Sequence, residues 1–113
     1  MFSVLLLLGM KINNIPYQVE AILIEHLDGN QCCVKNWWHV GRMLGISNST
    51  LRGVKREDNR EGGSPTRCLL EILSTHLENV VSLREVVETT HKLKRHDICN
   101  AIYEFYQSQE AAA

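Results

Sequence analysis

Proline is scarce in this chain, and neither sign of charge is in excess. Only two of the 113 residues are prolines, so few positions interrupt a helix from within. Twelve basic and 13 acidic residues give a net charge of −1. A chain so balanced has no overall attraction to nucleic acid or to anionic membranes. Any electrostatic function therefore depends on local clusters of charge.

The residue patterns of metal sites are also missing. None of the four cysteines belongs to a CxxC pair, which structural zinc sites usually contain: Cys32, Cys33, Cys68 and Cys99. The five histidines are scattered, and the five-residue spacing of His91 and His96 predicts that they lie on different sides of a helix. We therefore expect no metal and no cofactor. Unpaired thiols are typical of a reducing compartment.

Catalytic motifs are missing as well. Gly62 and Gly63 are not followed by the GK[ST] of a phosphate-binding loop, and there is no HExxH motif. A Cys–His pair drawn from four cysteines and five histidines carries little information. The sequence therefore predicts a protein without enzymatic activity.

Long hydrophobic runs are absent apart from Val4–Leu8 (VLLLL), far shorter than the roughly 20 residues of a membrane span. We interpret residues 1–14 as an apolar tail that is disordered or derived from cloning, with the remnant of an upstream anchor as the alternative. Residues 15–107 are predicted to form one domain, and residues 108–113 a second tail. The expected location is cytoplasmic, which includes the intracellular part of a membrane receptor, with no membrane contact by the domain itself.

Apolar residues recur at intervals of three and four in six segments, the pattern of amphipathic helices. Capping residues mark where the helices begin: Pro16, Asn36, Ser47, Ser64, Ser82 and Asp97. The clearest loop is 57–63 (EDNREGG). Short connections favour antiparallel neighbours, so the sequence predicts an all-α, six-helix antiparallel bundle. Its expected core includes Trp37, Val40, Leu44, Leu73 and Ile102.

Three motifs resemble the death domains, most closely the netrin-receptor type. Residues 36–46 (NWWHVGRMLGI) are similar to their second helix, with a tryptophan, an aliphatic and a small residue three and four positions later, then Leu-Gly. Residues 15–28 (IPYQVEAILIEHLD) resemble their first helix, and 63–73 (GSPTRCLLEIL) their fourth, which begins Ser-Pro-Thr. The resemblance extends over residues 15–106. The third helix and the charged loop 57–63 depart from the netrin-receptor type.

The resemblance implies a Greek-key order of helices and homotypic association with other death-domain proteins, including copies of itself, in apoptotic or inflammatory signalling. Two clusters of charge suit such contacts. The predicted basic face, with Trp38 at its edge, comprises Arg42, Arg52, Lys55, Arg56 and Trp38. The predicted acidic face comprises Glu20, Glu25, Asp28, Glu71 and Glu78. A secondary basic corner, which also contacts neighbours in the family, comprises Lys92, Lys94 and Arg95.

Trp38 follows the expected core residue Trp37 and lies roughly 100° further round the helix. Two interpretations stay open for it: a rim residue that covers the core, or an interface anchor, because exposed tryptophan is enriched at binding hot spots. The charge clusters likewise have a second interpretation, as solvated helix surface.

Residues 40–56 (VGRMLGISNSTLRGVKR) also have the spacing of a DNA-binding helix-turn-helix, with Gly41 in the first helix and Gly45 in the turn. The packing positions would be Ile46, Leu51 and Val54. The side chains facing the DNA backbone would be Arg52, Lys55 and Arg56. The acidic net charge and the flanking motifs favour the death domain, so no nucleic acid is expected as a partner. A third possibility is a domain held against other parts of a longer receptor.

Overall fold

The described part of the chain contains six α-helices and one short 3-10 helix. In this computed structural model the described residues are 10–28, 35–56, 60–75 and 81–112. The 3-10 helix spans Ile12–Asn14. The α-helices are α1 (Tyr17–Leu27), α2 (Trp37–Met43), α3 (Asn48–Lys55), α4 (Pro65–Thr75), α5 (Leu83–Lys92) and α6 (His96–Ala112). No β-strand occurs in these ranges, so the predicted all-α, six-helix class is confirmed.

Capping residues begin the helices close to the predicted positions. The Ser82 hydroxyl accepts a hydrogen bond from the Glu85 N–H, and the Ser82 N–H donates one to the Glu85 carboxylate, which completes the predicted capping box. Asn36 forms a similar box in which His39 Nδ1 accepts from the Asn36 N–H. The last helix starts at His96, so Asp97 lies in its first turn instead of preceding it.

Helix packing is largely non-sequential. The first helix packs against α4 and α6, and α2 packs against α4 and α5 as well as α3. The chain therefore does not run as an up-and-down bundle in which each helix lies only beside the next. Between them the helices bury Trp37, Val40, Leu73 and Ile102, while Leu44 is half-buried against the same core.

The N-terminal boundary of the domain lies earlier than predicted. Ile12 is only 3% exposed and belongs to the core. Its N–H donates to the Val81 carbonyl at 2.8 Å, and the Leu83 N–H donates to the Met10 carbonyl at 2.8 Å. Residues 10–14 are therefore part of the fold because they pair with the segment before α5, and the expected tail of residues 1–14 is wrong for them. Residues 1–9, including Val4–Leu8, lie outside the described residues.

At the other end, the helix continues past the expected domain boundary. The last helix runs to Ala112, so residues 108–112 are helical and not a separate tail. Alanine and glutamine favour helix, which accounts for the continuation. Of the predicted loop 57–63, residues 60–63 form a turn in which Gly62 has φ 72°, and 57–59 lie outside the described part of the chain.

Candidate functional site

Three basic side chains form one side of α3. Arg52, Lys55 and Arg56 are all exposed, and their spacing of three and four residues places them on one helix face. Leu51 and Val54 lie on the buried side. Arg42 is exposed on α2. None of the four forms an ion pair with a described residue. We call Arg42, Arg52, Lys55 and Arg56 the basic surface.

A close approach between α2 and α3 positions this surface. A Cβ atom at Gly41 would lie 2.6 Å from Leu51 Cδ2 and 3.2 Å from Leu69 Cδ1, so a larger residue here would require the Leu51 side chain to shift. The chain turns at Gly45, whose φ is 92°, and Ser47 then caps α3 by accepting from the Thr50 N–H. Since Arg42 and Arg52 directly follow the two contacting residues, the Gly41–Leu51 contact sets the spacing of the two helices that carry the basic surface.

Trp38 lies at the edge of the core. Its side chain is half-buried and packs against the core residues, with its ring in edge contact with Trp37 at a centroid distance of 5.7 Å. Trp37 itself is 1% exposed. Its half-buried position against the core makes Trp38 a rim residue of the bundle.

Of the described residues of the predicted acidic face, Glu20 and Glu71 line a shared depression. It has a volume of about 260 Å³ and lies between the 3-10 helix, α1 and α4. Its lining also includes the apolar residues Ile12, Ile15 and Leu70 and the cation Arg67. Glu20 forms an exposed ion pair with Arg67, with Oε1 3.3 Å from Nε. Glu71 is exposed and forms no ion pair with a described residue. We call Glu20 and Glu71 the acidic notch.

The other members of the predicted acidic face are not in this notch. Glu25 is exposed, but it lies five positions after Glu20. This spacing turns its side chain about 140° round α1 from that of Glu20. Asp28 accepts hydrogen bonds from the Ser64 hydroxyl at 2.7 Å and the Thr66 N–H at 2.8 Å, so its carboxylate caps α4 inside the molecule. Glu78 lies outside the described residues.

One member of the predicted secondary basic corner, Arg95, uses its side chain for hydrogen bonds within the molecule. We call this set of hydrogen bonds the Arg95 clasp. The Arg95 side chain is only 12% exposed. The guanidinium donates to the His26 carbonyl at 2.8 Å, to the Lys35 carbonyl and to the Asp97 carboxylate, so it joins the ends of three segments. Lys92 and Lys94 are exposed, and Lys94 adopts φ 63° in the turn after α5. The corner available to a partner therefore consists of these two lysines.

The clasp also holds an ionised carboxylate. Hydrogen bonds from Arg95 are the largest cause that lowers the pKa of Asp97 to about 2. Burial, the second-largest effect, raises this pKa, while the Arg95 charge, the Ile98 N–H and His26 lower it further. His26 Nδ1 lies 3.2 Å from Asp97 Oδ2. This cluster ties the end of α1 to the start of α6.

The prediction that His91 and His96 lie on different sides of a helix is wrong. The two residues belong to different helices, α5 and α6, and the intervening turn brings their ring centroids to 5.1 Å. Within the ranges that the structure describes, no three His, Cys, Asp or Glu side chains are close enough to hold a metal together.

Sequence reasoning missed Ile12, the capping role of Asp28 and the clasp formed by Arg95. Ile12 precedes the first helical pattern, and the other two have partners far away in the chain. Among the described helices, none is long and apolar enough to cross a membrane. Comparison of the chain with protein-family models, with curated proteins and with solved structures finds no match in any of the three.

Proposed function

We propose that this chain is a death-domain-type module that signals by binding other such domains, with no catalytic role. The observation that carries the proposal is the non-sequential packing of six helices, in which α1 contacts α6 and α4 while α2 contacts α5. A Greek-key helical bundle requires this kind of order. The motifs at residues 15–28, 36–46 and 63–73 form α1, α2 and α4 of that arrangement.

The proposed contact joins the basic surface of one copy to the acidic notch of the next. No described residue forms an ion pair with the basic surface or with Glu71 in the notch. Ile12, Ile15 and Leu70 line the notch, so a long basic side chain would pack its methylene groups against them while its charge reaches the carboxylates. Because the two surfaces differ, the contact is heterologous, and a pair of copies retains one unused basic surface and one unused notch for further growth.

Charge reversal on each surface tests this contact. The variant Arg52→Glu/Arg56→Glu keeps a native notch, and Glu71→Arg keeps a native basic surface. Each variant alone should stay monomeric in sedimentation velocity under conditions where the wild type associates. Mixing the two should restore one native contact and give a heterodimer that does not grow further.

Lys35→Glu provides the matched control, because Lys35 is an exposed cation outside the basic surface, the acidic notch and the secondary basic corner. It should associate like the wild type, and association of the wild type should weaken as salt is raised. Association of the double variant at wild-type strength, or a mixture that stays monomeric, would contradict the proposed contact.

A DNA-binding helix-turn-helix is the second candidate, and one observation favours it. The Gly41–Leu51 approach and the turn at Gly45 join α2 and α3 as that motif requires. The expected packing positions are all buried: Ile46, Leu51 and Val54. The exposed cations of α3 would then neutralise phosphates.

Titration against duplex DNA separates the two candidates. DNA binding would show micromolar affinity with a steep dependence on salt and would weaken in Arg52→Glu/Arg56→Glu. It would not change in Glu71→Arg, since the notch plays no part in contacting phosphates. If the death-domain proposal is right, we expect no such DNA binding at physiological salt. We also expect Arg52→Glu/Arg56→Glu and Glu71→Arg each to weaken self-association.

A further inference from the structure

The turn between α5 and α6 brings two imidazole rings together at the surface. His91 lies in the last turn of α5 and His96 is the first residue of α6. Their ring centroids are 5.1 Å apart with an angle of 69° between the ring planes. Both side chains are exposed, so an ion in solution can reach them. The chain reverses between them through Lys94.

We propose that His91 and His96 form a binding site for a divalent transition-metal ion of the Zn²⁺ type. Zinc–nitrogen bonds of about 2.0–2.1 Å place the ion about 3 Å from the centre of each ring, and at a tetrahedral angle the two ring centres then lie about 5 Å apart. The observed separation matches this value. Both side chains are exposed, so their rings can rotate between staggered conformations that turn one nitrogen of each towards a shared ion.

The ligand types decide which ions fit. Imidazole favours zinc, copper and nickel, whereas magnesium and calcium prefer oxygen ligands. Two protein ligands leave two tetrahedral positions for water, because no third metal-binding side chain joins them in the described residues. Affinity is therefore lower than that of a four-ligand structural site, and it falls as protons compete for the imidazoles at lower pH.

The surrounding charges partly offset one another. Lys92 and Glu88 line a cavity of about 300 Å³ together with His91, so the carboxylate lies on the same side of α5 as the histidine and counters the lysine. Cys99 lines this cavity too, but its thiol contacts Thr90 Oγ1 at 3.3 Å and the Val87 carbonyl at 3.6 Å. A bound ion would link the end of α5 to the start of α6 and stabilise the folded state.

Zinc titration of the whole chain tests the site, with calorimetry for affinity and thermal unfolding for stabilisation. ZnCl₂ should raise the unfolding temperature of the wild type, and MgCl₂ should not. His91→Gln and His96→Gln should each weaken zinc binding about tenfold or more, since each leaves a single ligand. The matched control is His39→Gln, an exposed histidine whose capping box glutamine also supports; it should bind zinc like the wild type.

Paramagnetic Cu²⁺ locates the site directly. At substoichiometric Cu²⁺, the amide NMR signals of residues 91–97 should broaden first in the wild type. In His91→Gln these signals should not broaden before the others. Broadening centred on Cys32 and Cys33, or equal zinc affinity in all variants, would overturn the proposal. The site lies outside both surfaces of the proposed protein contact, so either proposal can fail without the other.

Discussion

The carboxylate of Asp28 accepts a 2.7 Å hydrogen bond from the hydroxyl of Ser64, 36 positions later in the chain. Its second oxygen accepts from the Thr66 N–H, so the end of α1 caps the start of α4. The negative charge also lies at the positive end of the α4 dipole, where it is favourable. Ser64 in turn accepts from the Arg67 N–H at 3.1 Å. Two helix termini are thus joined by one shared cap.

Removal of this cap should destabilise the fold. Asp28→Ala leaves the Thr66 N–H and the Ser64 hydroxyl without their acceptor, and we expect the free energy of unfolding to fall by about 1–2 kcal/mol. Glu25→Ala removes an exposed carboxylate from the same helix and should change it by less than about 0.5 kcal/mol. Urea denaturation measures both, and equal effects of the two variants would refute a capping role.

Replacement of Arg95 should destabilise the fold even when the new residue is lysine. Arg95→Lys keeps the charge but cannot contact the His26 carbonyl, the Lys35 carbonyl and Asp97 at once, because lysine lacks the planar fork of donors. We expect a loss of about 1.5–3 kcal/mol in unfolding free energy. Lys92→Ala, at an exposed cation nearby, should have little effect. If Arg95→Lys leaves the unfolding free energy unchanged in thermal or urea unfolding, the Arg95 clasp contributes no stability.

Stability should depend on Asp97 at acid pH. Its folded pKa of about 2 lies below the ordinary value of 3.8, mainly because Arg95 donates hydrogen bonds to it. A lowered carboxyl pKa contributes stability above about pH 4 that is lost as pH falls towards about 2. Since the side chain is 46% exposed, solvent screening limits the effect to about 1 kcal/mol or less.

Asp97→Asn should therefore flatten the fall of unfolding free energy between pH 4 and pH 2, measured by urea denaturation at several pH values. Glu104→Gln, at an exposed carboxyl on the same helix, is the control and should leave the slope close to that of the wild type. The same pH profile in Asp97→Asn as in the wild type would count against the Arg95–Asp97 interaction.

Two glycines provide a matched test of helix packing. Gly41→Ala forces a Cβ against Leu51 and Leu69 and should cost about 1–3 kcal/mol of stability. Gly53→Ala, on the exposed side of α3 with nothing within 4 Å, should be neutral or stabilise by about 0.5–1 kcal/mol through helix propensity. Thermal unfolding of the two variants should therefore shift in opposite directions. If Gly41→Ala causes no loss of stability, α2 and α3 are less closely packed than the Gly41–Leu51 distance indicates.

The sequence by itself determined the helices, because caps and apolar periodicity act within one or two helical turns. The Ser82–Glu85 capping box and the burial of Trp37 follow from neighbours only a few positions away. Only the tertiary structure decided which charges are available to a partner. Arg95 contacts a carbonyl 69 positions away, and Asp28 contacts a hydroxyl 36 positions away, so both charges are used internally. No local pattern encodes such pairings, because they depend on how the helices pack, and the same packing brings Ile12 into the core.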